Sequence, residues 1–147
     1  MPRITRRAEV PYTREQMYQL VNDVRGDPSF FPFCRDVEVL EESSTTLVAR
    51  IRFAKGPISI KLTTRNTMQA PELIDIGLVE GPFRRFSGHW RFEHGPNNHG
   101  SVAIFDLDFE VSATGLVGMA LAKLFDEIAA SLVDAYCRRA EVVYGVA

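Results

Sequence analysis

The chain is poor in the residues that announce covalent frameworks and metal centres: it has two cysteines and three histidines in 147 residues. Cys34 and Cys137 stand far apart and in no metal-ligand spacing, so reduced thiols are expected rather than a disulfide scaffold. His89, His94 and His99 recur every five residues. No Cys or carboxylate is spaced to join them, and no metal site is expected. A Gly-rich phosphate loop, a nucleophile elbow and a Cys–His arrangement are all missing, which speaks against an enzyme. An excess of one charge is missing too. The 17 Lys and Arg against 19 Asp and Glu leave a formal charge of -2, so DNA binding through bulk charge is disfavoured. No apolar run reaches the roughly 18 residues of a spanning helix. The basic opening Met1-Pro2-Arg3-Ile4-Thr5-Arg6-Arg7 leads into alternation rather than an apolar run, so no signal peptide is expected. The implied location is the cytoplasm, or at most the periphery of the inner membrane.

What is present is an ordinary globular composition, 46% hydrophobic and 24% charged, with ten Phe, four Tyr and one Trp. The length suits a single domain over residues 1–147 with a substantial core. Residues 3–10 alternate and read as a first strand. After Pro11, Thr13 and Gln16 form a capping-box pattern. They open a short helix with Met17, Leu20, Val21 and Val24 on one face, stopping near Gly26. The proline-bracketed segment Asp27–Cys34 follows, with room for one or two helical turns. From 36 to 112 the period is two, broken by turn signals at 42–45, 55–57, Pro71, 81–82 and 95–100. The cleanest strand sets Ala103, Phe105, Leu107, Phe109 and Val111 against Asp106, Asp108 and Glu110. Seven strands at hairpin spacing predict an antiparallel meander with one wet face. From about Thr114 to Tyr144 the period becomes 3.6, with Val117, Leu121, Leu124, Phe125, Ile128, Leu132, Tyr136, Ala140 and Val143 on one stripe. A helix of about 45 Å and a curved sheet bury both apolar faces by wrapping, an α+β fold.

Three stretches resemble the coenzyme Q-binding START-like proteins, a family that includes the RatA-type ribosome association toxins. Leu20-Val21-Asn22-Asp23-Val24 followed by Phe30, Pro32 and Cys34 resembles the opening pattern VxDVxxYxxFxPxC, with the Tyr replaced at Pro28 or its neighbour. Glu80-Gly81-Pro82-Phe83 with Trp90-Arg91-Phe92 resembles the (D/E)GPF…WxF hairpin, and Leu124-Phe125-Asp126-Glu127 through Ala135–Ala140 resembles the C-terminal helix. The resemblance implies the helix-grip fold: a seven-stranded sheet around a long C-terminal helix, two short helices after strand 1, and a cavity between sheet and helix. It also implies the last strand lying between the first and the sixth. Two roles come with it. One is non-enzymatic binding of a ubiquinone-like polyprenyl lipid in support of respiratory electron transfer, with that lipid as ligand and no cofactor required. The other is toxin-like binding of the large ribosomal subunit, blocking subunit association.

Phe86, Trp90, Phe105, Leu107, Phe109, Leu121, Phe125, Ile128 and Leu132 fit a plain core or the lining of a quinone pocket equally well, since pockets are also apolar with few polar groups. Trp90 and Tyr136 are candidate donors to the quinone carbonyls. Phe30, Phe31, Phe33 and Phe83 either cap a core or form an entrance lip that touches a membrane. Asp106, Asp108 and Glu110 are expected on a solvated face, opposite Arg85, His89 and Arg91 or Arg3 and Arg7. Arg84, Arg85 and Arg91, with Arg3, Arg6 and Arg7, form a basic set suited to ribosomal RNA or anionic headgroups.

Overall fold

Each sequence turn signal falls between two strands. The computed structural model describes residues 3–31 and 33–145; Pro32 of the aromatic segment, Met1 and Pro2 lie outside the described residues. The strands are β1 (Arg3–Val10), β2 (Cys34–Glu42), β3 (Thr46–Lys55), β4 (Ile58–Gln69), β5 (Leu73–Glu80), β6 (Phe83–His94) and β7 (Ser101–Val111). At the first hairpin, the Ser43 hydroxyl accepts from the Thr45 and Thr46 backbone N–H groups, which closes the turn. The second turns at Gly56, whose φ of 58° suits a residue without Cβ. The strands form one antiparallel sheet in the order β1-β7-β6-β5-β4-β3-β2. β7 does lie between β1 and β6, and its inward row of Ala103, Phe105, Leu107 and Phe109 is buried.

Helix α1 (Arg14–Asn22) opens on the expected capping box. Gln16 N–H donates to the Thr13 hydroxyl at 3.1 Å, and Thr13 N–H donates to Gln16 Oε1 at 2.8 Å. The helix ends four residues before Gly26, and Val24–Ser29 forms a 3₁₀ segment instead. The α-helix stops because Asp23, at ψ 72°, leaves the helical region, and Pro28 within the 3₁₀ segment has no N–H to extend an α ladder.

Helix α2 (Gly115–Tyr144) runs 30 residues, about 45 Å. Its C-terminal end is tied down by two tyrosines: the Tyr12 hydroxyl donates to Gly145 O at 2.6 Å, and the Tyr144 hydroxyl donates to Gln16 O at 2.9 Å. The apolar stripe needs one correction. Leu124, Phe125, Ile128, Tyr136 and Ala140 are buried as expected, together with Ala129, Val133 and Ala135. Val117 and Val143 are exposed, as are Leu116 and Met119. A 3.6-residue period identifies a face but not how far along it the sheet reaches, and here the covered length begins in earnest at Leu124.

Lys55 Nζ meets Glu127 Oε2 at 2.7 Å and joins the β3–β4 turn to α2. The hydrogen bond from Lys55 holds the Glu127 carboxyl below the ordinary carboxylate value, against a smaller opposing effect of burial. A lowered folded-state value means that this link stabilises above the ordinary carboxylate range and is lost as pH falls through the folded value. In Glu127→Gln that part of the acid loss is expected to vanish, so the thermal midpoints of the two proteins converge at low pH. Pairs this exposed are screened, so the gap should narrow in high salt as well.

Candidate functional site

Between the concave face of the sheet and α2 lies a cavity of about 110 Å³. Its walls are largely side chains of the sheet strands and of α2. β6 contributes Phe86 and Trp90, β7 contributes Phe105 and Leu107, and α2 contributes Phe125, Ile128, Leu132 and Tyr136. All eight belong to the sequence-derived set. The walls are held by ring contacts: Trp90 lies 4.8 Å from Phe105 and packs edge-on against Tyr136 at 5.5 Å. The far end is closed by Phe125, whose ring centroid lies 5.9 Å from Phe86 and 6.4 Å from Phe53.

Four other members of the set lie elsewhere. Phe109 is fully buried, packed edge-on against Phe125 at 5.0 Å on the side away from the cavity. Leu121 is one turn too early on α2 and only partly buried. Phe30 packs on Tyr136 at 5.4 Å from outside, with the Arg139 guanidinium 5.3 Å over its other face. Phe33 carries the Lys55 ammonium 5.3 Å over its ring. Among the described residues of that segment Phe31 turns inward to line the cavity, while Phe30 and Phe33 are half-buried rings under cations. Nor is Phe83 exposed; it packs 4.8 Å from Phe125.

Sequence reasoning missed the walls supplied by β3, β4 and β5, among them Ile51, Phe53, Leu62, Ile74 and Ile76, together with Val21 and Val24. It also missed two polar residues, Thr64 and Asn66. A signal existed: the inward positions of β4 read Ile60, Leu62, Thr64, Asn66, Met68, an apolar row interrupted at its centre. Among the described residues, no Asp, Glu, Lys, Arg or His lines the cavity.

The charged residues work on the convex face. Arg85 holds Asp108 at 2.8 Å and Glu110 at 3.4 Å, Arg84 approaches Glu110 at 3.6 Å, and His89 Nε2 lies 3.3 Å from Asp106 Oδ2. Thr5 and Arg3 complete the shell around Asp106. The acidic row of β7 is therefore a cross-strand ladder, as expected. Within the basic set, Arg84 and Arg85 are paired with acids of this ladder. Arg91 differs: it is exposed and stands in register with Ile104, which faces Arg7 on its other side.

No group of three metal-ligating side chains forms among the described residues. Cys34 and Cys137 are not joined, and burial, helped by Asp134 and Glu141, pushes the Cys137 thiol up from its ordinary value. Among the described residues no helix is long and apolar enough to cross a membrane.

The family model for polyketide cyclase/dehydrase and lipid transport matches residues 10–137. The chain belongs to this family. Within the polyketide cyclase/dehydrase and lipid transport family, the chain is 41% identical to the ribosome association toxin RatA of Escherichia coli K12, over 98% of its own length and 90% of the relative's. Two solved structures share the helix-grip fold. The Zhui aromatase/cyclase of Streptomyces sp. R1128 superposes with a TM-score of 0.82 at 19% identity, covering 95% of this chain and 93% of that one. A START superfamily protein from Mycobacterium smegmatis gives 0.78 at 20% identity, covering 96% and 98%. At such identities the likeness speaks for fold alone. The chain thus shares its fold with a cyclase, while its strong sequence likeness is to the protein named as a toxin.

Proposed function

We propose that the protein is a ribosome-association factor of the toxin type, which binds the large ribosomal subunit in the cytoplasm and hinders subunit joining. The observation that carries this reading is the 41% identity sustained along 98% of the chain with a relative named for ribosome association. The action is one of surface contact, with no covalent step. On the convex face Arg7 and Arg91 flank Ile104, about 10 Å apart by strand spacing, and offer two cations to RNA phosphates.

A polyprenyl quinone held in the cavity is the second reading, favoured by the apolar and aromatic lining. Size weighs against it in this conformation. About 110 Å³ is near the roughly 150 Å³ of a cavity that takes benzene and below the roughly 300–1,000 Å³ of common ligand pockets. The enclosed space is nearer the size of a ring than of a polyprenyl tail.

One native preparation separates the two readings, through sedimentation with ribosomal subunits and solvent extraction followed by mass spectrometry. Co-sedimentation with the large subunit is expected, weakening steeply with salt as phosphate contacts do. Arg7→Glu combined with Arg91→Glu should reduce the slope of log affinity against log salt by about 2. Extracted quinone without co-sedimentation at about 50 mM salt would overturn the ribosomal reading.

A further inference from the structure

The centre of β4 holds a polar group that the core does not satisfy. Asn66 lies on the inward row between Thr64 and Met68, and its cross-strand partners are Leu47 on β3 and Ile76 on β5. Neither neighbouring side chain can hydrogen-bond. Among the described residues four buried side-chain nitrogen or oxygen atoms have no hydrogen-bond partner: Arg14 Nε, Asn22 Oδ1, Asn66 Oδ1 and Ser101 Oγ. Of these, Asn66 alone also lines the cavity, and Thr64 lines it two residues away. Buried polar groups are nearly always paired, because an unpaired one forfeits its hydration with nothing in return. A leucine or valine would fill this position at no such cost, so the carboxamide points to a missing partner.

Four features limit what that partner is. The volume admits about one ring. The surrounding Trp90, Phe86 and Phe125 offer edges and faces to an aromatic or alicyclic body. The carboxamide presents both an acceptor and a donor, so a single hydroxyl can give its proton to the oxygen and accept from the N–H. Finally, with no Asp, Glu, Lys, Arg or His among the described residues of the wall, an uncharged ligand fits.

We propose that the cavity is a site for a small, neutral, hydroxyl-bearing ring compound of the phenol class, oriented by Asn66 with Thr64 beside it. The inference rests on the cavity being a ligand site, as in the second reading above, and names a different ligand for it; it is independent of ribosome contact.

The test uses the full chain and two probes that differ by one hydroxyl, 4-methylphenol and toluene, with affinities measured by ligand-detected NMR or calorimetry. The quantity read is the ratio of the two dissociation constants, which cancels the shared burial of the ring. In Asn66→Leu and in Asn66→Val the preference for 4-methylphenol over toluene should fall about tenfold relative to the parent, the size of one net hydrogen bond. Retained toluene binding certifies that each variant still folds around its cavity. Ala129→Leu, which fills the chamber from α2, should abolish binding of both probes. If the ratio is unchanged in both Asn66 variants, Asn66 serves only a buried water and the inference falls while the cavity site stands. Should neither probe bind the parent, or should Ala129→Leu leave binding intact, the cavity is not a ligand site and both readings of it are overturned.

Discussion

Phe125→Ala should destabilise the protein by about 3–5 kcal/mol, the range for truncating a large aromatic in a packed core. Phe125 is the hub of the molecule's aromatic cluster. It lies 4.8 Å from Phe83, 5.0 Å from Phe109, 5.9 Å from Phe86 and 6.4 Å from Phe53. These rings come from β3, β6 and β7, so one side chain of α2 is packed against three strands. Truncation would leave a void joined to the existing cavity, and the surrounding strands cannot close it without breaking their register. At this chain length the loss corresponds to a fall in thermal midpoint of roughly 10–15 °C, measurable by calorimetry. A loss under about 0.5 kcal/mol, below even the mildest large-to-small core changes, would show that the helix is not pinned to the sheet at this point. The same substitution should enlarge the chamber, so toluene should bind the folded fraction more tightly than it binds the parent.

Gly100→Ala is expected to cost about 2–4 kcal/mol through two separate effects. The residue sits at φ +65°, which disfavours any side chain by about 1 kcal/mol. A Cβ built there would also stand 2.1 Å from the Val10 carbonyl oxygen. Overpacking against atoms free to move typically costs 1–3 kcal/mol, and backbone has little freedom here. Val10 closes β1 in register with Ser101, the first residue of β7. To relieve the contact, the β6–β7 connection would have to part from the end of β1. Urea unfolding should register the loss as a lower midpoint with an unchanged slope. By contrast Gly56→Ala, at φ +58° with open space around the position, should show only the smaller conformational effect.

Much of this architecture is legible in the chain because it depends on near neighbours. The Thr13–Gln16 capping box, the Ser43 turn and the alternation of Ala103, Phe105, Leu107 and Phe109 each arise within a few residues, where backbone geometry alone dictates which side a residue faces. The same logic placed Asp106, Asp108 and Glu110 on the wet face. The resemblance then supplied what alternation cannot, the insertion of β7 between β1 and β6. Reasoning along the chain failed where distance along it was large. The short Phe30–Phe33 segment gave no period, and only its docking under α2 and the β3–β4 turn decided that Phe31 turns in while Phe30 and Phe33 lie under Arg139 and Lys55.

The amino-acid sequence by itself determined the strands, the helices and which face of each is apolar, since those follow from periodicity and local hydrogen bonding. Tertiary structure alone decided how far the sheet covers α2, leaving Leu116 and Val117 outside, and that Phe109 fills space while Trp90 borders it. It also decided that Arg84 and Arg85 are absorbed by acids of β7 while Arg91 is not. The physical reason is common to all three. A pattern records the direction of a side chain from its own backbone, whereas a cavity or a spent charge depends on what arrives from elements tens of residues away. The scarcity of cysteine and histidine leaves the sequence without a catalytic or metal-binding pattern of its own. The fold supplies a place, an apolar chamber lined by the Asn66 carboxamide, whose oxygen has no partner.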